Sequence, residues 1–283
     1  MKKTLQSLLF SSTLLFTAAS SFAGDSHDDD HHHAKSPSYK TQKLTDNINL
    51  LQGKGGNIVL LTGSQGLLMV DADYKVMSES LKAEINKLGG VNKLTYLINT
   101  HWHGDHTEGN LALGQHATIV AHDNVRQRLL SAQEVKLFKM KSEPYPAIAL
   151  PSITYNNVLN LYINNEHLQL IHFPNGHTDG DSVVFFKDAN VIHMGDHYFN
   201  GFFPFVDTGT GGNVVNMAKN VKSIIAMIDD KTQVVPGHGA LSNKKELIAF
   251  QAMLEGTTKE VQAMKAKGMD LASIQKQGLS KKW

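Results

Sequence analysis

Apolar and polar positions alternate in short bursts from residue 38 onward, and the bursts predict a strand-rich chain. "INLLQG", "NIVLLTG" and "GLLMVDAD" are apolar runs of strand length, separated by Gly, Asn and Asp, and read as strands joined by tight turns. Met77, Leu81, Ile85 and Leu88 recur at three- and four-residue intervals, which predicts a helix over 76–88. "KLTYLINT" and "ATIVAHD" are further strands, and 124–140 is expected to be mostly helical. A second strand-rich block follows with "SITYNN", "LNLYI", "LQLIHF", "SVVFFKD" and "NVIHMGD". Residues 214–228 predict a helix, "TQVVPG" a short strand and 244–267 a long final helix. Two successive rounds of strands then helices predict one α+β domain over 38–283, a mixed sheet pair with helices outside.

The first residues break this pattern. Lys2 and Lys3 precede a mostly apolar run from Leu5 to Phe16, and Ser21-Phe22-Ala23 places small residues where a signal peptidase cuts. Residues 1–23 therefore read as a signal peptide, and the chain as exported: periplasmic in the simplest case, with full secretion the alternative. Residues 24–37, "GDSHDDDHHHAKSP", have almost nothing apolar to bury and are expected to be a disordered leader. Its histidines (His27, His31, His32, His33) and aspartates (Asp25, Asp28, Asp29, Asp30) could hold metal loosely or simply form a solvated linker.

Charge and cysteine content narrow the function classes. Removing residues 1–23 takes Lys+Arg from 27 to 25 against 26 Asp+Glu, a mature net charge of −1. That balance predicts neither a nucleic acid partner nor, once the signal is removed, a membrane one. With no Cys there are no disulfides, thiolate ligands or thiol nucleophile, so the core must hold the fold.

The chemistry is concentrated in "NTHWHGDH", residues 99–106. Three imidazoles and a carboxylate crowded together need a cation to make their closeness favourable. Side chains two apart in an extended segment point the same way, so His101 and His103 suit one ion. Gly104 permits a turn that aims Asp105 and His106 at a second. Three later loops, each with Gly before the donor, offer the rest: His177 in "FPNGHTDGDS", Asp196 in "VIHMGD" and His238 in "VVPGHG". The inferred assignment is His101, His103 and His177 for one ion and Asp105, His106 and His238 for the other, with the two oxygens of Asp196 bridging. An all-nitrogen-and-oxygen donor set suits two zinc ions, and iron or manganese as well.

"THWHGDH" with the later "GHTDGDS", "MGDH" and "PGHG" resembles the metallo-β-lactamase superfamily, and "VDAD" at 70–73 looks like that family's early aspartate strand. The resemblance runs in motif order over 40–283. It implies a four-layer αββα sandwich with a dinuclear site at the sheet edges, and gives Asp71 the role of bracing the 101–106 loop. Well-known zinc β-lactamases carry Cys or Ser where Asp196 stands. Asp196 is more similar to the branches that cleave thioesters, lactones or phosphodiesters, and its surroundings resemble a group of exported hydrolases of this superfamily. A Glu in place of His103 would point to flavin-linked diiron proteins; His103 points away from them.

The expected activity is therefore that of a dinuclear zinc hydrolase in which a shared hydroxide opens a small ester, lactone or cyclic amide. Asp105 and Asp196 would orient the nucleophile. Two ions, two carboxylates and a hydroxide leave about +1, which favours a small substrate with an anionic group. A phosphodiesterase of the same fold is the alternative within the enzyme class, and a zinc-buffering protein the alternative outside it. Trp102, Tyr198, Phe199, Phe202 and Phe203 are expected either to wall a substrate pocket or to pack in the core. His193 could support Asp196, and Tyr198 or Asn200 could donate to an oxyanion. His116, His122, His167 and His172 have no partner spacing and read as structural. Oligomeric state is not legible.

Overall fold

The computed structural model describes residues 38–283. The signal-peptide and leader readings fall on residues outside that range. The first sheet runs in the order β1 (Lys40–Lys43), β2 (Ile48–Gln52), β3 (Ile58–Leu61), β4 (Leu67–Val70), β5 (Leu94–Ile98), β6 (Thr118–His122) and β9 (Ile153–Tyr155). It is antiparallel through β4 and parallel from β4 to β9. The second comprises β10 (Val158–Ile163), β11 (Glu166–His172), β12 (Ser182–Phe186), β13 (Val191–His193), β14 (Gln233–Val235) and β15 (Ser242–Asn243). Only its β13–β14 pair is parallel.

Strand alternation explains the layers. Val59 and Leu61 of β3, Leu68 and Val70 of β4, and Val184 and Phe186 of β12 share one core between the sheets. Their neighbours face outward: Ile58, Leu60, Leu67 and Met69 meet Leu81 and Ile85 of α1 (Ser78–Leu88). Val183 and Phe185 meet α5 (Val214–Ala226) and α6 (Lys244–Ala266) through Met217, Val221, Leu247 and Phe250. Strands buried on both faces need apolar residues at every position, which is why these runs are continuous rather than alternating. The result is the expected αββα order. Asn213 and Asn243 start α5 and α6 by accepting backbone N–H bonds at their first turns.

Two expectations are corrected. "SITYNN" joins the first sheet as β9, not the second block. The predicted helix over 124–140 stops early: α4 spans Asp123–Leu129, and a separate hairpin follows, β7 (Gln133–Val135) with β8 (Met140–Ser142). The Gln133 side chain donates to the Arg128 carbonyl, occupying an acceptor at the end of α4 as the chain turns away. Lys139, with φ of 53°, sits left-handed at the hairpin tip. Three further α-helices among the described residues are short: α2 (Gly104–Thr107), α3 (Asn110–Leu113) and α7 (Leu271–Gln277).

Candidate metal centre

All seven predicted donors leave strand ends or their following loops on one edge of the sandwich. Residues 101–106 follow β5, His177 lies between β11 and β12, Asp196 follows β13 and His238 follows β14. The structure gathers them into two groups, His101, His103, His177 and Asp196, and Asp105, His106 and His238, with ligand atoms in each group within 4.8 Å of one another. Asp196 serves both. Its Oδ2 stands 3.3 Å from His177 Nε2 and 3.8 Å from His101 Nε2. Its Oδ1 stands 3.1 Å from His106 Nε2 and 3.5 Å from His238 Nε2.

Hydrogen bonds behind the rings fix which nitrogen faces inward. Thr100 gives its hydroxyl proton to Asp71 Oδ2 at 2.8 Å, so its oxygen accepts from His101 Nδ1 at 3.1 Å. His106 Nδ1 donates to Asp71 Oδ2 at 2.7 Å, and His177 Nδ1 to the Phe205 carbonyl at 2.8 Å. His103 Nε2 donates to Asp207 Oδ2 at 3.2 Å. Each of these four rings is left with a lone pair directed into the centre. His101 Nε2 and His103 Nδ1 are 3.2 Å apart, and His103 Nδ1 and His177 Nε2 are 2.8 Å apart. Lone pairs so close repel unless a cation lies among them.

The electrostatics agree. Burial pushes His101 well below the usual imidazole range and His177 down to about 4, so both favour the neutral, ligating form. Burial opposes charge on His106 too, but Asp196, Asp105 and Asp71 outweigh it and hold that ring well above the usual range. His238 is likewise raised to about 9: burial opposes, and Asp196 and Asp105 prevail. The centre as a whole therefore attracts positive charge. Asp196 Oδ1 is buried without a hydrogen bond of acceptable geometry. An orphaned carboxylate oxygen facing two imidazoles fits a divalent metal ion.

Backbone strain and close packing hold this arrangement. Asp71 has φ of 64°, from which its carboxylate reaches both the Thr100 amide and His106. A methyl group at Gly237 would overlap Asp196 Oδ1, and one at Gly56 would overlap the His106 ring. His193 Nε2 donates to the Asn57 carbonyl at 2.8 Å while its Nδ1 accepts from Gly195, tying the Asp196 turn to the facing sheet.

A cavity of about 480 Å³ opens onto the centre, with Asp105, Asp196, His103 and His238 in its lining. Trp102, Phe199, Phe202 and Phe203 wall it, together with Phe138 and Met140 of the β7–β8 hairpin. Tyr198 does not: its hydroxyl is 2.8 Å from Ser242 Oγ and its ring packs on Phe250. Asn200 gives its amide to the Ala240 carbonyl. Neither residue lines this cavity, so the oxyanion role considered for them lacks a geometric basis.

The metallo-β-lactamase superfamily model matches residues 51–238, most of the domain and every donor. The chain belongs to the metallo-β-lactamase superfamily. It is 23% identical over 214 residues to "Beta-lactamase-like protein 2 homolog" of Caenorhabditis elegans, covering 72% of this chain and 65% of that relative. It is also 23% identical over 202 residues to the Methanocaldococcus jannaschii protein named "Probable metallo-hydrolase", covering 68% and 91%. A metallo-β-lactamase structure from Cronobacter sakazakii superposes with a TM-score of 0.65 at 17% identity, covering 81% of this chain and 96% of that one.

Within this superfamily fold, several functional residues escape a reading of the sequence. Asp207, buried and accepting from His103 and Thr210, orients the first group, and the Phe205 carbonyl orients His177. Burial opposes the Asp207 charge, but the bonds from His103 and Thr210 hold its carboxyl below the usual range. "VDTG" carries an ordinary turn signal, and nothing local ties it to a histidine over a hundred positions earlier. Asp181, which accepts from the His177 and Thr178 amides, is hidden in the same way.

Proposed function

We propose that the chain is an exported, metal-dependent hydrolase that opens a small ester, lactone or cyclic amide carrying an anionic group. The observation that carries this reading is the division of Asp196 between the two donor groups, one oxygen to each. Family membership and the metallo-hydrolase relative support hydrolysis as the reaction class. When bound, a pair of divalent cations supplies Lewis acidity and makes water a nucleophile at neutral pH.

The chain's own residues do the rest. Asp105 is partly open to the cavity and 3.1 Å from His238, which places a carboxylate where it can take a proton from the attacking water and return it to the leaving group. Asp196, buried among imidazoles, holds position and balances charge. Tyr74 also lines the cavity; burial, then the Asp105 charge, pushes its phenol to about 12, so it keeps a proton to donate. Lys141 lies in the wall and offers a counter-charge for a substrate carboxylate. Aromatic walls suit a carbonyl compound with an apolar body better than a phosphodiester, and a zinc buffer has no need of a walled cavity.

The test is turnover of nitrocefin, a simple lactone and a bis-aryl phosphate by zinc-loaded protein. Hydrolysis of the first or second, abolished by chelator and restored by zinc, is expected. Turnover of the phosphodiester alone would replace this reading, and none of the three with tight zinc uptake would favour the buffer.

A further inference from the structure

The β7–β8 hairpin carries features that a substrate wall does not require. Its tip reads Val135-Lys136-Leu137-Phe138-Lys139-Met140-Lys141, with cationic and apolar residues interleaved. Leu137 is 73% exposed and Phe138 54%. Phe138 and Met140 line the metal-centre cavity, but Lys136, Leu137 and Lys139 do not. Those three are exposed outside the cavity lining, on a turn closed by the bond from Lys139 N to the Lys136 carbonyl at 3.2 Å. Phe202 and Phe203 also line the cavity and are 59% and 56% exposed. Water-exposed apolar side chains thus rim the same opening from two segments.

We propose that this rim, led by the hairpin tip, docks on the surface of an anionic phospholipid bilayer. Leu137 and the phenylalanines would enter the headgroup–acyl boundary, while the lysine stems lie along it with their ammonium groups among lipid phosphates. Lys141 lines the cavity, so the charge left to the tip itself is that of Lys136 and Lys139. Neither makes an ion pair among the described residues. A second copy of the chain is the poorer occupant where two tips meet at the two-fold axis, because each copy then brings unpaired lysines to the contact. The near-neutral charge of the whole chain, which predicts no membrane partner, conceals this local cluster. Docking would hold the cavity mouth at the lipid surface; it goes beyond the hydrolase reading and does not depend on it.

The test is co-sedimentation of the whole chain with vesicles of phosphatidylcholine alone or mixed with phosphatidylglycerol. Wild type, Lys136→Gln/Lys139→Gln and Leu137→Ser would be compared, with melting temperatures to confirm folding. The wild type is expected to prefer the anionic vesicles, and high salt to weaken the preference. Removing both lysines should lower partitioning onto the anionic vesicles about 25-fold, about fivefold for each, and Leu137→Ser should lower it on both vesicles. Failure of the wild type to sediment, or variants that sediment like the wild type, would overturn the proposal. So would a dimer that Leu137→Ser dissociates without any vesicle binding.

Discussion

Among the described residues two clusters of buried or half-buried histidines can be compared, and they differ in what surrounds them. At the metal centre, five imidazoles meet Asp105 and Asp196, and carboxyl, hydroxyl or carbonyl groups behind four of the rings turn a nitrogen lone pair inward. The other cluster is His122 stacked on His172, with ring centroids 3.7 Å apart and planes at 17°. There His122 Nε2 donates to the Asn156 carbonyl, its Nδ1 caps α4 through the Asn124 amide, and His172 Nδ1 donates to the Asp181 carbonyl. Three of their four nitrogens are spent on backbone, and among the described residues no carboxylate accepts from either ring. Clustering of histidine alone therefore does not make a metal site; convergent lone pairs with carboxylates among them do.

The sharpest way to break the comparison is to remove the carboxylate that distinguishes the first cluster. Asp196→Ala should lower kcat/KM on the best substrate by on the order of a thousandfold or more and leave the circular dichroism spectrum unchanged. Equal activity in that variant would mean that the bridge is misassigned. A smaller effect is expected one layer out. Asp207→Asn keeps the shape but weakens the acceptor behind His103, and should cost about 10- to 100-fold in affinity for the ion held by His101, His103 and His177, read by chelator competition. Unchanged affinity would reduce Asp207 to a loop anchor.

The smallest effect belongs to the second cluster and concerns stability alone. Burial, then the neighbouring His122, holds His172 down to about 4, against the opposing bond to the Asp181 carbonyl and the Asp179 charge. His122 is lowered by burial as well. Below about 6.5 the unfolded chain takes up protons that the folded pair refuses. The contribution of the pair is thus fully present above that pH and is lost as pH falls toward about 4. Urea midpoints should fall across that window, and His172→Leu should flatten the slope. A variant with the wild-type slope would place the pH dependence elsewhere.

Legibility in the sequence follows the range of the physical cause. The continuous apolar runs of β3, β4 and β12 gave away strands, because burial on both faces leaves a local mark. The seven donors were legible because each loop carries its donor beside a glycine at a strand end. Asp207, Asp181 and the Phe205 carbonyl were not, since their partners are set by how loops cross in space. The β7–β8 hairpin falls inside the stretch expected to be helical: α4 buries Val125 and Leu129 and then ends, and the chain turns into strands. Tyr198 and Asn200 lie two and four positions after Asp196, yet their side chains turn toward Ser242 and Ala240, a direction that proximity along the chain does not reveal.

Anomalous scattering at the zinc edge, from crystals of the zinc-loaded chain, tests the central claim most directly. Two peaks are predicted, one among His101, His103 and His177 and one among Asp105, His106 and His238, with an oxygen of Asp196 directed at each. A single peak, a peak elsewhere, or Asp196 turned away from both groups would contradict the account.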